Sequence, residues 1–323
     1  MELKNCVFLD LDSIDCSDLD FDSIHRVIRL TSFSSTTNDR VIERLNNADI
    51  VIVNKVKLDA SHFKVLPRLK LICVIATGVN NIDLSGAEAA GIKVCDVPDY
   101  GASAVSQHVM MLILALSTRF LEYQEDVRKG AWQSQDQFCL LSHPILELKD
   151  KTLGLIGYGH IAKAVENLAT GFGMKVIIGE SLKPNGGNNV GRVPLPQLYR
   201  ESDIISLHCP LTEKTRNLIS SEQLQAMKPT ALLINAARGG IVNEADLLKA
   251  LKTGWIAGAA LDSIETEPPM PDDPLLNSGL SQLIITPHNA WGTREARQRL
   301  VEGVANNITA FLSGSPKNLV NNA

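Results

Sequence analysis

Aromatic side chains are scarce in this 323-residue chain, where Phe, Tyr and Trp together make up 5%. Val, Ile, Leu and Ala take their place, a mix that suits parallel strands buried on both faces. Basic excess is also missing. The formal net charge is −5 and no dense Lys/Arg cluster appears, which argues against a nucleic-acid or anionic-membrane partner. Long apolar runs are lacking too: the most apolar segment, residues 109–116, is far too short to span a bilayer. No apolar stretch follows Met1-Glu2-Leu3-Lys4-Asn5-Cys6, so no signal peptide is expected and the protein is read as soluble and cytoplasmic. The six cysteines form no CxxC pair. Several lie inside aliphatic runs such as Leu71-Ile72-Cys73-Val74, which points to buried free thiols in a reducing compartment. The seven histidines show no ligand spacing, and no metal is expected. Repeats are absent apart from a loose echo of two α/β units.

What is present is a globular balance of 45% hydrophobic and 21% charged residues, in a chain long enough for two cores. In the first hundred residues, segments 7–9, 49–53, 69–76 and 92–97 read as strands. Between them, residues 38–47 and 83–90 have helical spacing, with Asp83 as N-cap and Gly91 as stop. Residues 103–129 read as one long helix ended by Gly130, and a polar stretch at 133–137 follows. From Lys151 a second series begins. Segments 152–156, 175–178, 203–207, 231–235, 256–261 and 283–286 are strand candidates separated by helices or loops, the signature of a doubly wound parallel sheet. Pro184-Asn185-Gly186-Gly187-Asn188-Asn189 reads as a surface loop. The last helix, 293–312, is expected to pack back on the first domain and make that domain discontinuous.

The strand at 152–156 runs into Gly157-Tyr158-Gly159-His160-Ile161-Ala162, a GxGxxA turn opening a helix. The first Gly allows the tight turn, the second admits backbone close to a pyrophosphate, and the small third residue lets helix and strand pack. The helix start then offers amides to phosphates. The next strand ends in an acid, Glu180, 23 positions after Gly157. A carboxylate there suits the adenosine ribose hydroxyls and repels a 2′-phosphate. Together they indicate a dinucleotide cofactor, NAD rather than NADP.

Ligands of an open parallel sheet collect beyond the carboxyl ends of its strands. Read in turn, those ends give Glu180, His208-Cys209-Pro210, Ala236-Ala237-Arg238-Gly239-Gly240, Asp262 and Pro287-His288, with Glu267 shortly after Asp262. Hydroxy-acid oxidation needs a fixed cation for the carboxylate, a proton donor/acceptor for the carbinol, and a group that orients the donor. The planar, permanently charged fork of Arg238 suits the first. His288 suits the second, since imidazole holds either protonation state near neutrality. Glu267 beside it would fix its tautomer.

At these residues the chain resembles the D-isomer-specific 2-hydroxyacid dehydrogenases, over nearly its whole length. Ala76-Thr77-Gly78-Val79-Asn80-Asn81-Ile82-Asp83 resembles the family's substrate loop, and Gly157 to Ala162 its fingerprint. Ala237-Arg238-Gly239-Gly240, Glu267-Pro268 and Pro287-His288 are similar to its Arg, Glu and His motifs, in the same order. The resemblance implies an α/β fold of two doubly wound parallel-sheet domains. A Rossmann nucleotide-binding domain, residues 102–290, is inserted in a smaller flavodoxin-like substrate domain, residues 1–101 and 291–323. It further implies Arg238, Glu267 and His288 as catalytic residues, and Thr77, Gly78 and Val79 with Arg238 and His288 at the substrate. The implied NAD contacts are Gly157, Gly159, His160, Ile161, Glu180, His208, Pro210, Thr215, Ala236, Ala237, Arg238, Asp262 and His288. A structural role is the simpler reading for the His208 ring. Gln107-His108 resembles a family pair on the long helix, where packing is the simpler reading. The implied partners are a small 2-hydroxy or 2-keto acid and a second copy in a homodimer.

Within the family, the segments Phe138-Cys139-Leu140-Leu141, Phe172-Gly173-Met174-Lys175 and Leu207-His208-Cys209-Pro210-Leu211-Thr212 are most similar to the glycerate dehydrogenase (hydroxypyruvate reductase) branch. That implies D-glycerate and hydroxypyruvate, or glycolate and glyoxylate, as the pair interconverted. The departures are Ala162 for the third glycine, Ala102 where Ser or Thr is common, and Ser263 where Val is usual. Glu267 disfavours a formate dehydrogenase, whose branch has Gln there. The alternative from another class is an NAD-binding corepressor-like protein of the same fold, which the absence of long disordered flanks disfavours.

Overall fold

The computed structural model describes residues 4–183, 187 and 189–322. Four residues of the expected surface loop, Pro184, Asn185, Gly186 and Asn188, lie outside the described residues, as do Met1, Glu2, Leu3 and Ala323. The chain separates into two compact units, one of Met1–Gly101 with Trp291–Ala323 and the other of Ala102–Ala290.

The first unit opens with strands β1 (Asn5–Phe8), β2 (Arg29–Ser32), β3 (Ile50–Val53), β4 (Leu71–Val74) and β5 (Lys93–Cys95). Helices α1 (Asp22–His25), α2 (Val41–Leu45), α3 (Ala60–Phe63) and α4 (Leu84–Ala89) connect them. All pairings are parallel, in the order β2-β1-β3-β4-β5. β3 and β4 are buried along their whole length, as expected of strands covered on both faces. Asp83 caps α4 by accepting the Gly86 amide at 2.9 Å. β2 has no counterpart among the expected strands. Its residues Arg29, Thr31 and Ser32 are exposed at the sheet edge, so its sequence carries no aliphatic run.

In the second unit, α5 (Ala102–Ser117) and α6 (Phe120–Arg128) precede β6 (Thr152–Ile156), α7 (His160–Gly171) and β7 (Lys175–Ile178). Then come α8 (Leu195–Glu201), β8 (Ile204–Leu207), α9 (Ser221–Ala226), β9 (Leu232–Asn235), α10 (Glu244–Thr253), β10 (Gly258–Leu261) and β11 (Leu283–Ile285). The expectation of one helix over residues 103–129 is corrected. The chain bends by 59° between α5 and α6, with Arg119 left-handed at φ 52°. The cause is local. Ser117 Oγ and Thr118 Oγ1 bond back to the Ile113 and Leu114 carbonyls at 2.6 and 2.7 Å, a competition that weakens and bends helices.

The second sheet is also parallel, ordered β11-β10-β9-β8-β6-β7. Among the described residues β7 is the one strand beyond β6, followed by a single parallel bridge between Gly179 and Val193, whereas the usual dinucleotide-binding order places two strands there. The switch point between β6 and β8 is retained, and the GxGxxA turn leaves β6 there. The final helix, α11 (Arg294–Leu312), belongs to the first unit. Thr293 caps it, and Leu300, Val301, Val304 and Ile308 join Phe8, Ile52 and Cys73 in the core on one side of the first sheet. Each such aliphatic burial contributes about 1.5–3 kcal/mol. Arg297 on α11 grips both carboxylate oxygens of Asp18 at 2.7 Å and the Ile14 carbonyl at 2.9 Å.

No single described helix is long and apolar enough to cross a membrane. All six cysteines are free, with Cys6, Cys73, Cys95 and Cys209 buried.

Candidate active site

The second unit gathers its polar strand-end residues at one edge of the sheet. At the end of β6, Gly157 has φ 87° and lies against β8's continuation. A Cβ there would stand 2.6 Å from the Cys209 amide nitrogen and the His208 carbonyl carbon, so only glycine fits. At Gly159 a Cβ would meet nothing within 4 Å. Packing gives no reason for a glycine there, whereas a bound group close to the backbone does. Gly159 is also the N-cap of α7 and offers no side-chain cap, so the first-turn amides of His160 and Ile161 face outward with the positive helix end. Space and positive potential together fit a cofactor pyrophosphate. Fully buried Ala162 lets α7 sit close to the sheet. Beside the turn, the Tyr158 hydroxyl bonds the Glu166 carboxylate, and Lys163 and Arg192 each place a charge 5.7 Å from the Tyr158 ring centre.

Glu180 follows β7, and its Oε1 accepts the Leu195 amide at 2.9 Å. This bond fixes the carboxylate at the strand end. His208, after β8, bonds Ser206 Oγ through Nε2 at 2.9 Å. Burial pulls its pKa down to about 4, so the ring is neutral. The Thr215 hydroxyl is taken up by the Pro210 carbonyl at 2.6 Å and the Thr212 amide at 2.7 Å. Thr215 therefore shapes the Pro210 turn from a buried position.

After β9, the Asn235 side chain accepts the Ala237 amide at 3.1 Å and donates to the Arg238 carbonyl at 2.8 Å, framing the turn of Ala236, Ala237 and Arg238. Arg238 Nη1 donates to the Ala237 carbonyl at 2.7 Å. Among the described residues no carboxylate pairs with this half-buried guanidinium.

After β10, Asp262 is buried and accepts from Thr286 Oγ1 at 2.6 Å and from the Asn289 and Ala290 amides at 3.0 Å each. Further along, Glu267 Oε1 accepts the Ile264 amide at 3.0 Å. Glu267 Oε2 stands 2.6 Å from His288 Nδ1, so Nε2 is the ring nitrogen on the side away from Glu267. Both side chains are about one-third exposed, at 35% and 31%. The expected pair thus meets across 21 residues of chain.

Thr77, Gly78 and Val79 belong to the other unit, just beyond β4. Thr77 Oγ1 donates to the Val97 carbonyl at 3.0 Å, the Val79 carbonyl accepts the Ile82 amide, and Asn81 Nδ2 donates to the Val56 carbonyl at 2.9 Å. The loop is held within its own unit. Sequence reading missed the supporting residues Asn235, Ile264 and Thr286, and had Gly239 only as part of the Arg238 motif. Of the three missed, only Thr286 carried a signal, standing directly beside the Pro287-His288 pair.

A glycine turn that admits a pyrophosphate, a cation framed by its own turn, and a carboxylate-bound imidazole on one sheet edge define a dinucleotide-dependent oxidoreductase. Residues 110–290 match the NAD binding domain of the D-isomer specific 2-hydroxyacid dehydrogenases. The chain is 41% identical over 318 residues to a glycerate dehydrogenase of Methylorubrum extorquens, spanning 98% of this chain and 99% of the relative. It is 36% identical over 320 residues to a hydroxypyruvate reductase of Blautia hydrogenotrophica, again spanning 98% and 99%. A crystal structure of a protein from Thermus thermophilus superposes with a TM-score of 0.86 at 32% identity, covering 98% of this chain and 99% of that one. The chain belongs to the D-isomer-specific 2-hydroxyacid dehydrogenase family and is an NAD-dependent oxidoreductase of that family.

Proposed function

We propose that the protein interconverts hydroxypyruvate and D-glycerate, with glyoxylate and glycolate as the smaller pair the same site accepts. Full-length likeness to a glycerate dehydrogenase and a hydroxypyruvate reductase supports this choice of substrate. The observation that carries the chemistry is the 2.6 Å contact of His288 with Glu267, on the sheet edge that also bears Arg238. Bound NAD(H) supplies or accepts the hydride. Arg238 binds the substrate carboxylate and offsets the negative charge growing on the carbonyl oxygen during reduction. His288 gives its proton to that oxygen, and in oxidation takes it back from the hydroxyl. Glu267 holds Nδ1 protonated and so leaves the other nitrogen to act. The family resemblance assigns Thr77, Gly78 and Val79, in the substrate domain of residues 1–101 and 291–323, to substrate binding.

Glu180 favours NAD(H) over NADP(H). A homodimer and a cytoplasmic location complete the reading. Support for the dimer comes from exposed Phe120, Phe138, Leu141 and Phe172, and from an apolar groove of about 800 Å³ between α5 and α7. Phe120 and Phe172 line that groove, and contiguous exposed apolar surface suits a partner subunit. Light scattering on the purified protein tests it, and a monomer at micromolar concentration would refute it. The unpaired thiols support the cytoplasm, and cell fractionation tests that.

The deciding experiment follows NADH absorbance with hydroxypyruvate, glyoxylate, pyruvate and a branched keto acid. Hydroxypyruvate should turn over fastest. A clear preference for the branched acid would overturn the substrate assignment. No turnover with any of them would favour the corepressor-like alternative, which full-length likeness to named dehydrogenases does not favour.

A further inference from the structure

Helix α5 reaches the strand-end edge through one polar side chain. His108 Nε2 lies 3.0 Å from Thr286 Oγ1, and that hydroxyl donates to Asp262 Oδ1 at 2.6 Å. With its only proton on the carboxylate, the Thr286 oxygen can do no more than accept from His108, which places a proton on Nε2. Burial lowers the pKa of His108 against the opposing pull of Asp262, so the ring is neutral and holds that single proton. The hydrogen bonds therefore run one way, from His108 through Thr286 to Asp262, whose Oδ1 also lies 3.5 Å from His108 Nε2.

Asp262 passes this constraint on. Its Oδ1 accepts the Asn289 amide and its Oδ2 the Ala290 amide, each at 3.0 Å. These two amides follow directly on His288, whose backbone sits in the left-handed region at φ 51°. A non-glycine residue held there is strained and persists only where its surroundings impose it. Asp262 is 2% exposed, and a carboxylate so far out of water needs all its donors. Removing the Thr286 hydroxyl would loosen the anchor of the turn.

We infer that His108 and Thr286 are positioning residues, which hold the Asp262 carboxylate and through it the turn that keeps His288 on Glu267. This rests on the reading of His288 as the acid/base. Neither side chain touches reacting atoms. Their effect is on orientation, where a small misplacement is costly in rate.

The test uses enzyme saturated with NADH. Thr286→Val preserves shape and removes the hydroxyl, and Thr286→Ser restores it. His108→Phe removes the donor, and His108→Gln keeps one. For Thr286→Val and His108→Phe, kcat for keto-acid reduction should fall about tenfold, with KM within about twofold because Arg238 is untouched. Exchange of the Asn289 and Ala290 amides should quicken in both. Thr286→Ser should recover most of the rate, and His108→Gln should retain more than His108→Phe. Combined with Glu267→Gln, Thr286→Val should cost much less than the product of the two single losses, since both act through His288. Unchanged kcat and amide exchange in Thr286→Val would overturn the inference, as would losses that multiply independently. If Thr286→Val does not fold, the His108 pair decides: equal rates for Phe and Gln would overturn it. His288→Gln separates the two readings. Retained activity there refutes the acid/base assignment itself, whereas an inactive His288→Gln with a normal Thr286→Val refutes only the positioning role.

Discussion

Gly239 lies so close to Ile264 that a Cβ at position 239 would stand 1.9 Å from the Ile264 carbonyl oxygen and 2.2 Å from its carbonyl carbon. The amide of the same Ile264 holds Glu267 Oε1 at 3.0 Å. This contact therefore joins the turn that carries Arg238 to the segment that carries Glu267. Backbone packed on backbone sets the spacing between the cation and the carboxylate, and no side chain could be trimmed to make room.

Gly239→Ala should accordingly separate the two segments. Overpacking of this kind costs about 1–3 kcal/mol, and the displaced Glu267 should lower kcat as well. Thermal melts and steady-state kinetics of the variant check both effects. A variant with the parent's melting temperature and kcat would show that the two segments are not held by this contact.

Arg238→Lys and Arg238→Ala separate charge from fork. The planar guanidinium can meet a carboxylate through two parallel bonds, while an ammonium cannot. Both variants should raise KM for the keto acid and lower kcat, with Ala the worse by about tenfold or more in kcat/KM. A KM unchanged across several keto acids in Arg238→Ala would place the carboxylate-binding cation elsewhere.

Glu267→Gln removes a charge 2.6 Å from His288 Nδ1 and leaves the shape. Keto-acid reduction uses the imidazolium and hydroxy-acid oxidation the neutral ring. Without the carboxylate the ring loses the charged partner that fixes its tautomer and orientation. kcat should fall by about tenfold or more in both directions, with KM for the keto acid little changed because Arg238 is untouched. An unchanged kcat in both directions would mean that Glu267 orients something other than His288.

Much of this arrangement was legible in the chain, and the exceptions have physical causes. The buried strands read directly because Ile50-Val51-Ile52-Val53 and its counterparts are continuous aliphatic runs. β2 did not, because an exposed edge strand needs no such run. One helix became two because Ser117 and Thr118 turn their hydroxyls onto the helix's own carbonyls, a choice that composition does not announce. Arg238, Glu267 and His288 could be placed on one sheet edge because each follows a recognisable strand. The links behind them could not. His108 and Thr286 are 178 residues apart, and the Ile264 amide is a backbone group with no signature in sequence. The order of the second sheet, with β7 followed beyond β6 by a bridge at Val193, likewise depends on where the chain after β7 returns.

Glu180 is fixed through Oε1 by the Leu195 amide at the end of the strand that follows the glycine turn. A phosphate on the adenosine ribose would meet this carboxylate as a like charge. The enzyme should therefore prefer NADH to NADPH in kcat/KM by about tenfold or more, one to two kcal/mol on the scale of about 1.4 kcal/mol per decade. Glu180→Gln, which keeps an oxygen for Leu195, should narrow the ratio mainly through KM for NADPH. Equal efficiency with both cofactors in the parent enzyme would point to Arg192, whose Nη1 lies 3.3 Å from the Gly179 carbonyl, as a phosphate-binding group.

Asp96 lies just past β5, with its backbone carbonyl accepting from Asn307 Nδ2 at 2.7 Å. Burial raises its carboxyl from the ordinary aspartate value to about 6, opposed by a backbone hydrogen bond and reinforced by the like charge of Asp99. In the unfolded chain the same group titrates near 3.9. Between those values the folded protein binds more protons than the unfolded one, so this residue's contribution to stability falls as pH rises through the window and stays lost above it. Asp96→Asn has nearly the shape of the protonated acid and carries no charge at any pH. It should leave stability unchanged below about pH 4 and raise it at neutral pH. Because the carboxyl is only half-buried, solvent screening reduces the gain to the order of 1 kcal/mol. That corresponds to about 2–4 °C in melting temperature for a domain of ordinary size. Paired melts of parent and variant at about pH 4 and about pH 8 read the difference directly. An equal gain at both would make the effect one of packing rather than charge, and no gain at either would mean that ionised Asp96 is well solvated where it stands.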